Sequence, residues 1–325
     1  MLPVLAVVIA AVLFGTTGTA QVLGPEGTSP LGVGAMRLVV GGTALALLGF
    51  GLARRQRRRA TTPAKRPTMR RSPGGTPASS RPAIGRRPLT RRAFVLMALT
   101  GICLAAYQPL FFLGTERSGV AVGTVIALGS APVLAGIIEW ALTRRIPRRA
   151  WMVATALALL GVVLLALGAG DGGGADPIGV LGSLGAGASF AVFANAQRRL
   201  MDDGWDPFTV AGAMGLGSAL TALVMLPFTS LDWIGEPAGI AMALWLGIAT
   251  IAVAYTLFTW GLQRLTAATA ATLTLAEPLT AASLGITVLG ERLAPVALAG
   301  LAVLGAGLVL LAWGYRTPRP FAVEG

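Results

Sequence analysis

Ten runs of mostly apolar residues divide the chain, separated by short polar or glycine- and proline-containing breaks. They lie at about 2–23, 31–53, 93–114, 119–142, 150–169, 177–199, 207–226, 237–262, 267–289 and 294–314. A bilayer-spanning helix needs about 20 such residues, and each run supplies them. The pattern predicts an all-α integral membrane protein of ten transmembrane helices.

The runs repeat. Pro132 and Pro278 each fall in the middle of an apolar run, and aligning them places Gly161 on Gly307, both 29 residues downstream. Upstream, Gly114-Xaa-Xaa-Arg117 falls on Gly261-Xaa-Xaa-Arg264 with an offset of one residue. Gly34-Ala35-Met36-Arg37-Leu38 matches Gly212-Ala213-Met214-Gly215-Leu216, and Phe14 with Ala20-Gln21 matches Phe190 with Ala196-Gln197. Four pairs in one order divide the chain into residues 1–169 and 177–314, with a tail at 315–325. Each half holds five spans, and two copies of an odd number of spans lie in opposite orientations, an inverted-repeat architecture used by transporters.

Composition agrees with a membrane chain: 54% of residues are hydrophobic and 12% charged, with a mean hydropathy of +0.74. The 44 glycines suit helix packing in lipid, where small residues let backbones approach closely. Ala154/Ala158 on the fifth run and Ala302/Ala306 on the tenth have the spacing for such contacts. Cys103 is the single cysteine and there is no histidine. That excludes an intramolecular disulfide, histidine-based zinc and haem sites, a Ser-His-Asp triad and a histidine proton relay. With no phosphate-binding loop either, no metal or cofactor is expected, and an enzyme is disfavoured.

Charge sets orientation. Fourteen of the 26 Lys and Arg residues lie between Arg54 and Arg92, and nine of the others fall in the remaining even-to-odd inter-run segments and the tail. The positive-inside rule then places both termini in the cytoplasm. The net charge of +13 therefore reads as topology rather than nucleic-acid binding. Segment 54–92 has hardly any bulky apolar residue and is expected to be a disordered cytoplasmic linker; its arginines suit contact with anionic lipid head groups.

Charged groups within spans are costly and mark functional candidates. Arg37 lies about a third of the way into the second run, and its repeat counterpart is Gly215. Glu277 sits near the middle of the ninth run, just before Pro278, and its counterpart is Ala131. One charge of each sign thus occurs in only one copy, as a site for an asymmetric solute allows. Arg37 suits a substrate carboxylate or a structural carboxylate partner; Glu277 suits a proton, a substrate or a pairing with Arg37. Glu139, nearer the cytoplasmic end, reads as an acid paired with Arg144 or Arg145. Pro132 and Pro278 lack a backbone N–H and should kink their helices at matching depth, freeing carbonyls toward a cavity. Tyr107, Asn195 and Tyr255 are further substrate-binding candidates, with Thr16, Thr17, Gln108 and Thr259 as polar neighbours.

Ala131-Pro132-Val133, Glu277-Pro278-Leu279, Leu289-Gly290-Glu291-Arg292-Leu293, the glycines Gly300, Gly305 and Gly307, and Ala35-Met36-Arg37-Leu38 together resemble the drug/metabolite transporter superfamily, in its ten-helix EamA-type form. The resemblance covers the chain except 54–92. It departs where the glutamate expected thirteen residues after the proline is Glu291 in one repeat but Arg145 in the other. It implies a multi-pass carrier of a bacterial inner membrane with a central cavity between its repeats, exporting a small metabolite or amino acid by alternating access. A lipid flippase on the same fold is the rival reading. The small solute and the bilayer are the expected partners, with homodimerisation left open.

Overall fold

The computed structural model describes residues 1–61, 88–168 and 176–314. Most of the basic insertion (62–87), segment 169–175 and the tail lie outside the described residues, together with the expectations placed on them. All regular structure among the described residues is helical. The first seven spans are α1 Leu2–Val22, α2 Pro30–Thr61, α3 Arg91–Ser118, α4 Val120–Thr143, α5 Arg149–Leu167, α6 Pro177–Asp202 and α7 Pro207–Met225. The eighth is composite: α8 Pro237–Leu244, a π-helical stretch Trp245–Val253 and α9 Ala254–Leu262. The ninth is broken into α10 Ala267–Leu273 and α11 Ala276–Thr287, and the tenth is α12 Pro295–Gly314. Nine helices among the described residues are long and apolar enough to cross a membrane; the tenth crossing is the broken one.

The helix starts follow from their sequences. Asp176 and Asp206 cap α6 and α7, accepting hydrogen bonds from Ile178 N at 3.1 Å and Thr209 N at 2.9 Å, and a proline follows each cap. Thr90 caps α3 by accepting from Ala93 N at 3.2 Å. One expectation needs correcting: α2 runs on through residues 54–61, the first part of the basic insertion. Arg, Gln and Ala are good helix formers, and arginines at a helix C-terminus complement its dipole.

The packing is its own image when the two halves are exchanged. α6 packs on α3 and α4, and α1 packs correspondingly on the eighth and ninth spans. α2 packs against its counterpart α7, and α5 against its counterpart α12. These two crossings are built on glycine. A side-chain carbon added at Gly161 would stand 2.6 Å from Leu304 Cβ and 2.7 Å from Gly300 O. One added at Gly215 would stand 2.6 Å from Gly42 O. The crowding at Gly215 explains why the repeat counterpart of Arg37 carries no side chain. Ala154 and Ala158 are buried in the α5–α12 crossing as expected, but Ala302 and Ala306 face outward. The contacting face of α12 is Gly300, Leu304 and Gly307 instead, because a spacing of four residues recurs on more than one face of an apolar helix.

The two prolines act differently. α4 continues through Pro132, whereas the ninth span breaks at Thr274–Leu275, ahead of Pro278. Pro278 cannot donate to Thr274 O, which accepts instead from Glu277 N at 2.9 Å, a tighter turn than an α-helix makes. Glu277 thereby sits in the first turn of the half-helix α11, where a carboxylate is favoured by the helix dipole.

Candidate functional site

A central cavity of about 100 Å³ lies where α1, α2, α3, α4, α6 and the eighth and ninth spans converge. Arg37 from α2, Tyr107 from α3, Tyr255 from α9 and Glu277 from α11 all line it. Each is placed by a local feature. The π-helical stretch of the eighth span ends two residues before Tyr255. Tyr107 and Gln108 directly precede Pro109, a proline inside α3. Glu277 follows the helix break. Arg37 stands beside Leu38, which is buried in the core.

Two polar side chains of this cavity hold atoms without a partner. Arg37 and Glu277 share its walls, yet no ion pair within 4.0 Å joins them. Arg37 Nε and Thr17 Oγ1 are buried with no hydrogen-bond partner, although buried polar groups are nearly always paired. Such an arrangement can hold a solute that offers an acceptor to the guanidinium and a donor to the carboxylate. A volume of about 100 Å³ takes roughly three waters at about 30 Å³ each, so the walls must part for a larger solute.

The rest of the lining is aromatic. Phe14 and Phe190, the repeat-matched pair, both face the cavity. The Phe14 and Tyr255 rings lie 4.9 Å apart, and Phe190 and Phe193 lie 4.6 Å apart. Behind them Phe193 and Phe258 are fully buried. This packed layer stands between the cavity and a second, basic vestibule of about 540 Å³, formed where α4, α6 and α12 end and α5 begins. The vestibule is the larger space, but the unjoined Arg37 and Glu277 and the unsatisfied Arg37 Nε and Thr17 Oγ1 belong to the central cavity.

The structure does not bring all the sequence candidates together. Asn195 lies on the vestibule side, donating to Ala135 O at 3.2 Å and Ala191 O at 2.9 Å. Thr259 donates to Gln197 Oε1 at 2.7 Å, and Thr16 accepts from Trp245 Nε1 at 3.0 Å. Glu139 forms no ion pair with Arg144 or Arg145 among the described residues. Its Oε2 accepts from Ala268 N at 3.0 Å, capping α10 from across the molecule; the break in the ninth span creates that helix end. Arg198 donates to Leu262 O, Gln263 O and Leu265 O at 3.0, 2.6 and 3.2 Å, and to Asp202 at 2.7 Å. Thr274, Phe111 and Phe112 line the cavity and carried no motif; only the nearness of Thr274 to the Glu277-Pro278 pair could have marked it.

The sequence comparison decides the family. A profile described as the EamA-like transporter family matches residues 1–167 and again 177–313. The chain belongs to the EamA-like transporter family. An "Uncharacterized transporter YwfM" of Bacillus subtilis (strain 168) is 37% identical over 313 residues, covering 96% of this chain and 94% of that protein. A solved crystal structure, 19% identical, superposes with a TM-score of 0.72 over 97% of both chains; at that identity the likeness shows the fold alone. As a member of the EamA-like transporter family the chain is a multi-pass membrane transporter, and its cavity faces are the place to look for the solute.

Proposed function

We propose that this EamA-like transporter is a secondary carrier that exports a small polar metabolite by alternating access, and that the solute bridges Arg37 and Glu277. The observation behind this reading is the pair of opposite charges on one cavity, unjoined, with Arg37 Nε lacking a partner. A zwitterion such as an amino acid meets both needs, its carboxylate on Arg37 and its ammonium on Glu277. The basic loops favour a bacterial inner-membrane placement with both termini in the cytoplasm. On that placement the central cavity belongs to the outer half, and the aromatic layer with Arg198 and Glu139 closes the inner half. A flippase would need a polar groove open to lipid through the depth of the membrane. The groove that opens outward between α4 and α5 has a mainly apolar lining along α4 and α5, with basic groups only at one end, which favours the carrier.

The test is uptake and efflux in proteoliposomes with a mixed pool of labelled amino acids and small metabolites, with and without a pH gradient. Accumulation of one component against its gradient, lost in Arg37→Gln, supports the reading. Movement of fluorescent lipid between leaflets, with no movement of any solute, would replace it by flipping.

A further inference from the structure

The vestibule and the α4–α5 groove are two halves of one amphipathic site. The vestibule lining holds five arginines, Arg145, Arg148, Arg198, Arg199 and Arg264, against Glu139 and Asp202. Glu139 is engaged with Ala268 N and Asp202 with Arg198. Arg145, Arg148, Arg199 and Arg264 have no carboxylate partner among the described residues. Next to it, a groove of about 530 Å³ runs between α4 and α5. Its lining is mainly apolar, from Val133 to Trp140 on one wall and from Trp151 to Leu159 on the other. At 1.5 Å per residue each wall is about 10–12 Å long, most of one leaflet's share of a hydrocarbon core about 30 Å thick.

The two spaces share Ile146, Pro147 and Trp151. Trp151 is a fixed wall: its Nε1 donates to Thr272 Oγ1 at 3.1 Å, and its ring lies against Gly136. A basic mouth therefore opens sideways into an apolar trough at the level of the bilayer surface.

We propose that an anionic phospholipid from the leaflet on the basic side binds here, its phosphate among Arg145, Arg148 and Arg264 and one acyl chain in the α4–α5 groove. Basic pockets between transmembrane helices recognise acidic head groups, and only an amphiphile satisfies both halves at once. A second copy of the chain fits less well. A two-fold contact through this face would bring the same arginines toward one another. The lipid is a resident ligand, distinct from the solute in the central cavity.

The experiment is native mass spectrometry of the full chain released from nanodiscs containing equal phosphatidylglycerol and phosphatidylcholine. Wild type is expected to retain one phosphatidylglycerol. Each arginine near an acidic head group is worth about fivefold in binding, so Arg145→Gln/Arg148→Gln/Arg264→Gln together should lower the phosphatidylglycerol preference on the order of a hundredfold. Ala156→Trp fills the groove with every arginine intact and should also abolish retention. Both variants alter exposed residues, and their thermal midpoints are recorded alongside. Equal retention of the two lipids by wild type would overturn the proposal. So would retention unaffected by Ala156→Trp, which would make the vestibule a site for free anions, or a protein dimer that Ala156→Trp dissociates.

Discussion

Arg198→Gln tests whether the inner side is held shut by the contacts seen here. Arg198 reaches from α6 to the carbonyls of Leu262, Gln263 and Leu265 at 2.6–3.2 Å, the last acceptors of α9 and the turn after it. Leu262 O also accepts from Leu265 N at 3.3 Å in the turn, and the arginine adds its donor to this helix end. A net hydrogen bond contributes about 0.5–1.5 kcal/mol. The Arg198 side chain is 31% exposed, so the low end applies, giving about 1.5 kcal/mol for the three contacts, or roughly tenfold in the balance between closed and open forms. The assay is labelling of an introduced thiol. Ala267, fully buried at the start of α10, is replaced by Cys in a Cys103→Ser background and exposed to an impermeant maleimide in inside-out vesicles. Arg198→Gln should raise the labelling rate by about that factor. Arg198→Lys should fall between, because one ammonium can replace the Nη1 contacts but cannot also keep the Nη2 contact to Asp202. Arg117→Gln, which breaks the 3.5 Å pair with Asp176 at the opposite end, should not raise it. Equal rates in wild type and Arg198→Gln would refute the reasoning.

Glu277→Gln keeps the shape of the α11 start while removing its carboxylate and, if Glu277 carries the coupling proton, should abolish the pH dependence of transport without loss of folded protein; an unchanged pH–rate profile in proteoliposomes would show that coupling lies elsewhere. Arg37→Gln should weaken apparent solute affinity by roughly ten- to a hundredfold, the value of a charged hydrogen bond of about 1.5–3 kcal/mol. Its thermal midpoint should stay level, because the buried Nε has no partner to lose. Gly161→Val should destabilise by about 1–3 kcal/mol or more through overpacking at Leu304 and Gly300, whereas Ala302→Leu, on the outward face, should stay within about 0.5 kcal/mol; thermal unfolding in detergent separates them.

Much of this was legible in the chain. Apolar run length located all ten spans, since a hydrocarbon core demands it whatever the partner helices are. The Arg37/Glu277 asymmetry pointed to two residues that the fold sets on one cavity, because a charge in the membrane core needs a polar surface to face. The break before Pro278 was less legible. Two prolines in similar contexts gave a continuous α4 and a split ninth span, where Thr274 O accepts from Glu277 N instead of continuing the helix. Glu139 was misread because its partner, the N–H of Ala268, exists only once that break has made a new helix end. Asn195 lines the vestibule rather than the central cavity, a facing that its position along α6 did not fix. The π-helical stretch before Tyr255 left no mark in an apolar sequence, where register shifts cost no change of residue type.

The two glycine crossings, α2 on α7 and α5 on α12, pair each helix with its own counterpart. If alternating access exchanges the conformations of the two halves, these crossings map onto themselves. They form the fulcrum, while the remaining spans trade positions about it. Arg37 rides on one of them, so the guanidinium stays near the pivot as the rest swings. On the proposed reading, a solute held there would meet the same cation from either side of the membrane and be released by changes elsewhere around it.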